Sequence, residues 1–321
     1  MYEVSVIMST YNEKKEELEK AINSILMQTF KNFEFIIILD NPNNVEHIKI
    51  INNFLYKDDR IKFFINKENI GLARSLNKGI EIANCKYIAR MDADDISLPE
   101  RLEKEYRILE KDKSIDIVST NKICINENDI EIEKSNDLPE NDKQIKQILK
   151  YMSIIVHPTV MFRKDKIDKI GKYRNFSAAQ DYDLWLRAVS SNLKFHIINE
   201  YLIKYRIRDN NVSNTNPLKQ WIIHEYIYKL YKQRAKQGTD SFSIENVDRY
   251  LKKNKVYEIK SIEKFKKGMK NIEKCKKNLK EKNILISIHY LLRALFSHKK
   301  IKNIIFNYSL SYYYKRKGKN I

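Results

Sequence analysis

Three carboxylates stand within four residues at Met91-Asp92-Ala93-Asp94-Asp95. Like charges this close repel one another unless a cation compensates them. One or two carboxylates, completed by substrate phosphate oxygens, are the usual way that Mg²⁺ or Mn²⁺ is held. An isolated Asp-x-Asp is common by chance, and Asp95 is also placed to cap a helix beginning near Pro99. Position strengthens the metal reading. The apolar Tyr87-Ile88-Ala89 comes directly before the cluster, so the carboxylates sit at the end of a strand.

The elements that must hold this loop follow from the spacing of apolar residues. Runs at 4–8, 35–39, 61–65 and 87–91 read as strands, and the second is apolar throughout, as a strand buried on both faces is. Residues 16–27, 45–56 and 72–83 carry apolar side chains at helical spacing. Four strands separated by three helices predict βαβ units and a mainly parallel sheet in an α/β fold. Ligands of such sheets bind beyond the carboxyl ends of the strands. That rule singles out 9–13, 40–44, 66–74 and 92–95, all polar. From 115 to 213 the pattern is less regular, with strand pieces at 115–119 and 161–162 and helices at 140–151 and 181–190. From 218 onward the reading is helical and rich in lysine.

Composition narrows the class. Apolar residues make up 42% of 321, enough for a sizeable core, and only 6 glycines and 5 prolines exclude collagenous or Pro/Gly-rich disordered chains. No window approaches the roughly 18 apolar residues of a membrane span, and the N-terminus lacks the pattern of a secretory signal. Cys85, Cys124 and Cys275 are scattered, which suits a reducing cytosol. The net charge of +19 lies entirely in 214–321, which hold 27 Lys+Arg against 8 Asp+Glu, whereas 1–213 hold 34 of each. The expected boundary is therefore near 214–217. Stretches 284–296 and 302–319 are amphipathic and cationic. They suit either an anionic bilayer surface or a helical bundle with a solvated lysine face. No nucleic-acid motif is present, so no nucleic acid is expected as partner.

Read in order, the motifs resemble the inverting glycosyltransferases of family 2, which have the GT-A (nucleotide-diphospho-sugar transferase) fold. The resemblance is carried by Val4-Ser5-Val6-Ile7-Met8-Ser9-Thr10-Tyr11-Asn12-Glu13, by Ala21-Ile22-Asn23-Ser24-Ile25, and by Phe33-Glu34-Phe35-Ile36-Ile37 with Asp40. It continues in Asn69-Ile70-Gly71-Leu72-Ala73-Arg74, in the acidic loop, and in His157-Pro158-Thr159-Val160. It ends with Gln180-Asp181-Tyr182-Asp183-Leu184-Trp185 and Tyr205-Arg206-Ile207-Arg208 with Ser213. Together these span roughly 3–213. Three positions depart from the family pattern: Leu39-Asp40-Asn41-Pro42 replaces Asp-Asp-Gly-Ser, Gln180 replaces Glu, and Arg208 replaces a frequent His.

The resemblance implies a GT-A catalytic domain over 1–213 followed by a basic helical region over 214–321. Within the domain, 1–120 would bind the nucleotide-sugar, and 121–213 would carry the acceptor part and the base. It implies Mn²⁺ or Mg²⁺ held directly by Asp94, with Asp92 near the ribose or the metal's water shell. Thr10, Tyr11, Glu13, Asp40, Arg74, Asp92 and Ala93 would hold the nucleotide-sugar, Asp40 accepting from the uracil imide N–H. Asp181 would be the general base, and it is also placed to cap helix 182–190. His157 is expected either near the metal or diphosphate or as a hydrogen-bonded structural residue, and Trp185 either as core or as a sugar platform. The implied reaction moves a hexose or N-acetylhexosamine from a UDP-sugar to a glycan or lipid-linked glycan in bacterial surface-polysaccharide synthesis. The expected location is cytoplasmic, with peripheral contact to the inner membrane face. Transfer to a polyprenyl phosphate and a non-catalytic binding protein on the same fold are the competing readings.

Overall fold

The computed structural model describes residues 2–134, 138–208 and 216–317. The chain divides into two compact units, one of Met1–Leu149, Ser153–Asn175 and Asp183–Arg208, the other of Lys150–Met152, Phe176–Tyr182 and Asp209–Ile321. Residues 209–215, where the sequence puts its boundary and Ser213, lie outside the described residues.

In the first unit, β1 (Val4–Thr10), β2 (Phe33–Leu39), β3 (Ile61–Ile65) and β4 (Tyr87–Asp92) pair in parallel in the order β3-β2-β1-β4. Every residue of β1 and β2 is buried. Helices α1 (Lys15–Leu26), α2 (Val45–Leu55) and α3 (Leu72–Ile82) make the crossovers. α3 packs against β1 at Gly79, where a Cβ would fall 2.6 Å from Ile7 Cγ2. Glycine is therefore required by the close approach.

The second half of the sheet is less regular. β5 (Ile96–Ser97) precedes α4 (Arg101–Lys111). Then come β6 (Ile117–Ile125), β7 (Glu131–Lys134), α5 (Asp142–Leu149), a 3₁₀ turn His157–Thr159, β8 (Met161–Arg163), α6 (Lys164–Lys169), α7 (Gln180–Ser190) and β9 (Phe195–Arg206). β8 joins antiparallel to β4 and β6, β9 runs parallel to β6, and β5 and β7 pair antiparallel to β9 and β6. The sheet as a whole is mixed, with its parallel half in the N-terminal part of the sequence. β9 has no counterpart in the sequence reading, because its exposed middle at residues 199–201 interrupts the apolar alternation.

The second unit is helical: α8 (Pro217–Gln237), α9 (Ile244–Lys253), α10 (Ile259–Lys280), α11 (Ile284–Leu295) and α12 (Ile301–Lys317). α8 begins with Asn216 accepting from the Lys219 N–H and ends at Gly238. α11 is turned inside out. Its buried positions are the small Ser287 and Ala294, and Ser287 Oγ donates to the Cys275 carbonyl at 3.0 Å. Leu285 and Phe296, by contrast, are 84% and 86% exposed. No helix among the described residues is long and apolar enough to cross a membrane.

Candidate functional site

The carboxyl ends of the parallel strands meet in register. Ser9 lies opposite Asp92 and Thr10 opposite Leu39, so the loops after β1, β2 and β4 open on one sheet edge. Asp40 follows β2 and is almost fully buried. Its Oδ1 accepts from Asn66 Nδ2 (2.7 Å) and the Ile70 N–H (2.9 Å), and its Oδ2 from the Gly71 N–H (2.8 Å). Gly71 caps α3 at φ 84°, a left-handed conformation that favours glycine. Asp40 thus organises the loop leading into α3. A carboxylate has about four lone-pair sites, so one remains for a ligand.

On the other side of this edge, Thr10 Oγ1 donates to Glu13 Oε2 (2.5 Å) and lies 3.0 Å from His47 Nδ1. Glu13 Oε2 also accepts from the Tyr11 N–H at 2.9 Å. His47 Nε2 contacts the Glu13 carbonyl at 2.9 Å, tying α2 to the loop after β1. Tyr11 projects half-exposed from the same loop. Arg74 is exposed on the first turn of α3 and makes no ion pair among the described residues.

The acidic loop leaves β4 at Asp92 and turns through the buried Ala93 and Asp94. Each of its carboxylates meets an arginine or an arginine's backbone. Arg90 Nη1 lies 2.5 Å from Asp92 Oδ1, and Arg208 Nη2 lies 2.9 Å from Asp94 Oδ2. Asp95 Oδ1 accepts from the Arg206 N–H at 2.7 Å. Arg206 is itself buried, and its Nε donates to the Asp94 carbonyl (2.8 Å), while Nη1 and Nη2 bind the Asn126 carbonyl (2.8 Å) and Asp129 Oδ1 (2.5 Å). Arg208 also reaches Glu17 Oε2 at 2.7 Å. Burial and the neighbouring Asp92 charge push the Asp94 carboxyl up to about 7. Burial and the Asp94 charge also push the Asp95 carboxyl well above the usual carboxylate range.

Asp95 does not cap a helix. β5 intervenes, and α4 starts at Arg101 behind Glu100. His157 sits in the 3₁₀ turn with Nε2 2.8 Å from the Tyr173 hydroxyl. Burial, aided by the nearby Arg90 charge, holds its imidazole well below the usual range, hence neutral. Trp185 is fully buried and packs as core.

Among the described residues no group of three or more His, Cys, Asp or Glu side chains is arranged to hold a metal ion. A Mg²⁺ or Mn²⁺ ion that keeps waters and takes substrate phosphates needs only one or two carboxylates. Asp92 and Asp94 meet that need, being hard oxygen donors with side chains 28% and 23% exposed. The residues fit such an ion, with Arg208 its competitor for Asp94.

Asp181 belongs to the second unit. α7 begins at Gln180, so Asp181 stands inside its first turn and not at the cap. Asp183 is fully buried and ion-paired, with Arg187 Nε at 2.8 Å and Arg174 Nη1 at 3.7 Å. It is a structural group.

Arg90, Arg206, Arg208, Glu17 and His47 carry no assigned role in the sequence reading. The Tyr-Arg-x-Arg run was visible, but a charged residue's burial has no signature in one sequence.

The model of the family described as Glycosyl transferase family 2 matches residues 5–171. An uncharacterized glycosyltransferase of Methanocaldococcus jannaschii is 40% identical over 235 residues, covering 73% of this chain and 80% of that protein. The O-antigen biosynthesis glycosyltransferase WbnJ of Escherichia coli is 38% identical over 218 residues, 66% of this chain and 82% of its own length. S. aureus TarS 1–349, solved with UDP-GlcNAc, superposes with a TM-score of 0.60 at 16% identity, over 78% of this chain and 71% of that one. The GT-A-like fold, the carboxylate loop at its sheet edge and these relatives agree, and the chain belongs to glycosyl transferase family 2 as a glycosyltransferase.

Proposed function

We propose that the chain moves a hexose or N-acetylhexosamine from a UDP-sugar, with inversion, to a hydroxyl of a glycan or lipid-linked glycan in surface-polysaccharide assembly. The observation that carries this reading is the acidic loop Asp92–Asp95 at the same sheet edge as Thr10 and Asp40. Support for the setting comes from the relative named for O-antigen biosynthesis, and for the donor from the TarS structures solved with UDP-GlcNAc and with UDP.

In this reading Asp40 offers its remaining lone pair to the uracil N–H, while Thr10, Tyr11, Glu13, Arg74 and the Ala93 backbone hold the nucleotide. Asp94, with Asp92 beside it, would hold Mn²⁺ or Mg²⁺, which neutralises charge on the departing diphosphate. Asp181 takes the proton of the acceptor hydroxyl as that oxygen bonds to the anomeric carbon. The bond from that carbon to the diphosphate oxygen breaks, and UDP leaves with the electron pair. One displacement inverts the anomeric centre.

A contact with the inner face of the membrane belongs to the same proposal. Ile284, Leu285, Ile286, Ile288 and Leu292 of α11 are exposed on a unit with excess Lys and Arg, a combination that suits an anionic bilayer.

The test is a screen of UDP- and GDP-sugars with Mn²⁺, measuring nucleotide release and the anomeric configuration of the product. Release from no UDP-sugar, or a product of retained configuration, would sink the proposal.

A further inference from the structure

The helical unit contains a cavity of about 390 Å³ that the proposed donor site does not use. Its longest wall is one stripe of α8, where Trp221, His224, Glu225, Tyr228 and Lys232 recur at three- and four-residue spacing. The opposite face of α8 is ordinary core, with Leu218, Ile222, Ile223, Ile227 and Leu230 buried. On that face only Tyr226 is a polar aromatic, whereas the cavity stripe carries no aliphatic side chain. Tyr182, the residue after Asp181, closes one side, its ring stacked on His224 at 4.4 Å and 22°.

The lining has a sign. Four lysines, 150, 229, 232 and 300, face it against one acid, Glu225. Glu225 is occupied by Lys300 and by Asn303 Nδ2 at 2.9 Å. Lys229 and Lys232 stand over the rings of Tyr250 (5.8 Å) and Tyr228 (5.0 Å). The indole N–H of Trp221 is buried and has no hydrogen-bond partner among the described residues. The cavity thus presents the Trp221 indole with its unused donor, a rim of tyrosines, and excess positive charge. That set matches the apolar face of a pyranose next to a phosphate, because ammonium groups bind phosphate as point charges. Its volume is near the lower end of ligand pockets, about 300–1,000 Å³, and admits one sugar phosphate.

We propose that this cavity is an acceptor subsite for a pyranose bearing a phosphate or diphosphate group. The ring lies against Trp221, and the phosphate is held by Lys229 and Lys232. The acceptor role rests on the reading of the chain as a transferase with Asp181 as base, since Tyr182 joins the cavity to that residue in sequence. The phosphate has two possible sources, the diphosphate of a lipid-linked sugar and the phosphodiester of a repeating chain.

The chain has two tryptophans, and Trp185 is fully buried in the core, so the fluorescence of Trp221 reports on the cavity. The full-length protein is titrated, without donor, with N-acetylglucosamine 1-phosphate, N-acetylglucosamine, inorganic phosphate and UMP. Farnesyl diphosphate-linked N-acetylglucosamine and a sugar phosphodiester oligomer separate the two sources by affinity. The expected result is saturable quenching by the sugar phosphates, at least tenfold tighter than by sugar or phosphate alone. The double variant Lys229→Ala, Lys232→Ala, at exposed helix positions, should weaken it at least tenfold while UDP binding stays unchanged. In turnover the same variant should raise acceptor KM and leave kcat at saturating acceptor. No quenching by any sugar phosphate, equal binding by wild type and double variant, or preference for UMP overturns the subsite. Quenching without transfer from any UDP-sugar overturns the transferase reading and the acceptor role resting on it. Transfer without quenching overturns the subsite alone.

Discussion

Arg208 Nη2 lies 2.9 Å from Asp94 Oδ2, so the carboxylate proposed to hold a divalent cation already pairs with a protein cation. Both side chains are mostly buried, at 21% and 23% exposure, and Arg208 also binds Glu17. A metal ion must displace or share this contact. Replacing the charge, as in Arg208→Gln, should tighten Mn²⁺ binding by roughly tenfold, about 1.4 kcal/mol, in calorimetry without nucleotide. Asp94→Ala should abolish Mn²⁺-dependent UDP binding. Unchanged Mn²⁺ affinity in Arg208→Gln would show that the pair does not compete with metal.

The two aspartates on α7 should fail in different ways. Side chains two residues apart on a helix diverge by about 200°. Asp181→Asn should reduce turnover by roughly 10²–10⁴-fold with donor affinity little changed. Asp183→Asn breaks a fully buried ion pair with Arg187, and should lower unfolding stability by ~3 kcal/mol. Kinetics at saturating donor, with denaturant melts of both variants, decides. Near-normal turnover in Asp181→Asn would place the base elsewhere.

Gly71 and Asp40 should act as one unit. Gly71→Ala puts a Cβ on a residue at φ 84° and ψ 156°, a cost of about 1–3 kcal/mol, and disturbs the N–H that Asp40 receives. Asp40→Asn offers a donor where three donors converge, leaving buried groups unpaired at about 1–3 kcal/mol. Both should weaken UDP binding, and the double variant should lose less than the sum. Strict additivity in a double-mutant cycle would show the two to be independent.

The exposed face of α11 should be dispensable for folding. Leu285→Glu and Phe296→Glu alter residues 84% and 86% exposed, so stability should change by less than about 0.5 kcal/mol. Sedimentation with acidic vesicles should fall sharply, and wild-type binding should weaken with salt, since screening acts over about 8 Å at physiological ionic strength. Equal sedimentation of wild type and variants would remove the membrane contact.

Glu105 sets a pH dependence away from the loop carboxylates. Fully buried, its carboxyl is pushed up to about 7 by desolvation, partly offset by Arg101 at 3.2 Å. The native state therefore binds this proton more tightly than the unfolded chain, whose Glu titrates near 4.3. The stability it contributes is full below about 4.3 and declines as pH rises through about 7. Glu105→Gln cannot ionise, so its Tm relative to wild type should rise between pH 5 and pH 8. A constant difference across that range would contradict the assignment.

The parallel half of the fold was legible because burial on both faces makes β1 and β2 continuously apolar. Strand ends then pointed to Thr10, Asp40 and Asp92. What stayed hidden depends on burial that composition does not reveal. Arg206 is 1% exposed, yet in sequence it reads as one more charge in a basic chain. Asp183 has no role in the sequence pattern, and its buried pairing with Arg187 leaves no mark there. β9 escaped because its exposed middle, Glu200 and Tyr201, interrupts the alternation.

If the proposed nucleotide binds at this edge, the hydrogen bonds on Asp40 bear on how fast it exchanges. They order the loop from Asn66 to Gly71 as part of folding, so that segment loses no further freedom when a ligand arrives. Association then waits on diffusion and orientation, with little rearrangement to slow it. Different nucleobases should therefore arrive at similar rates and differ in how long they remain. Selectivity at this edge becomes a matter of residence time.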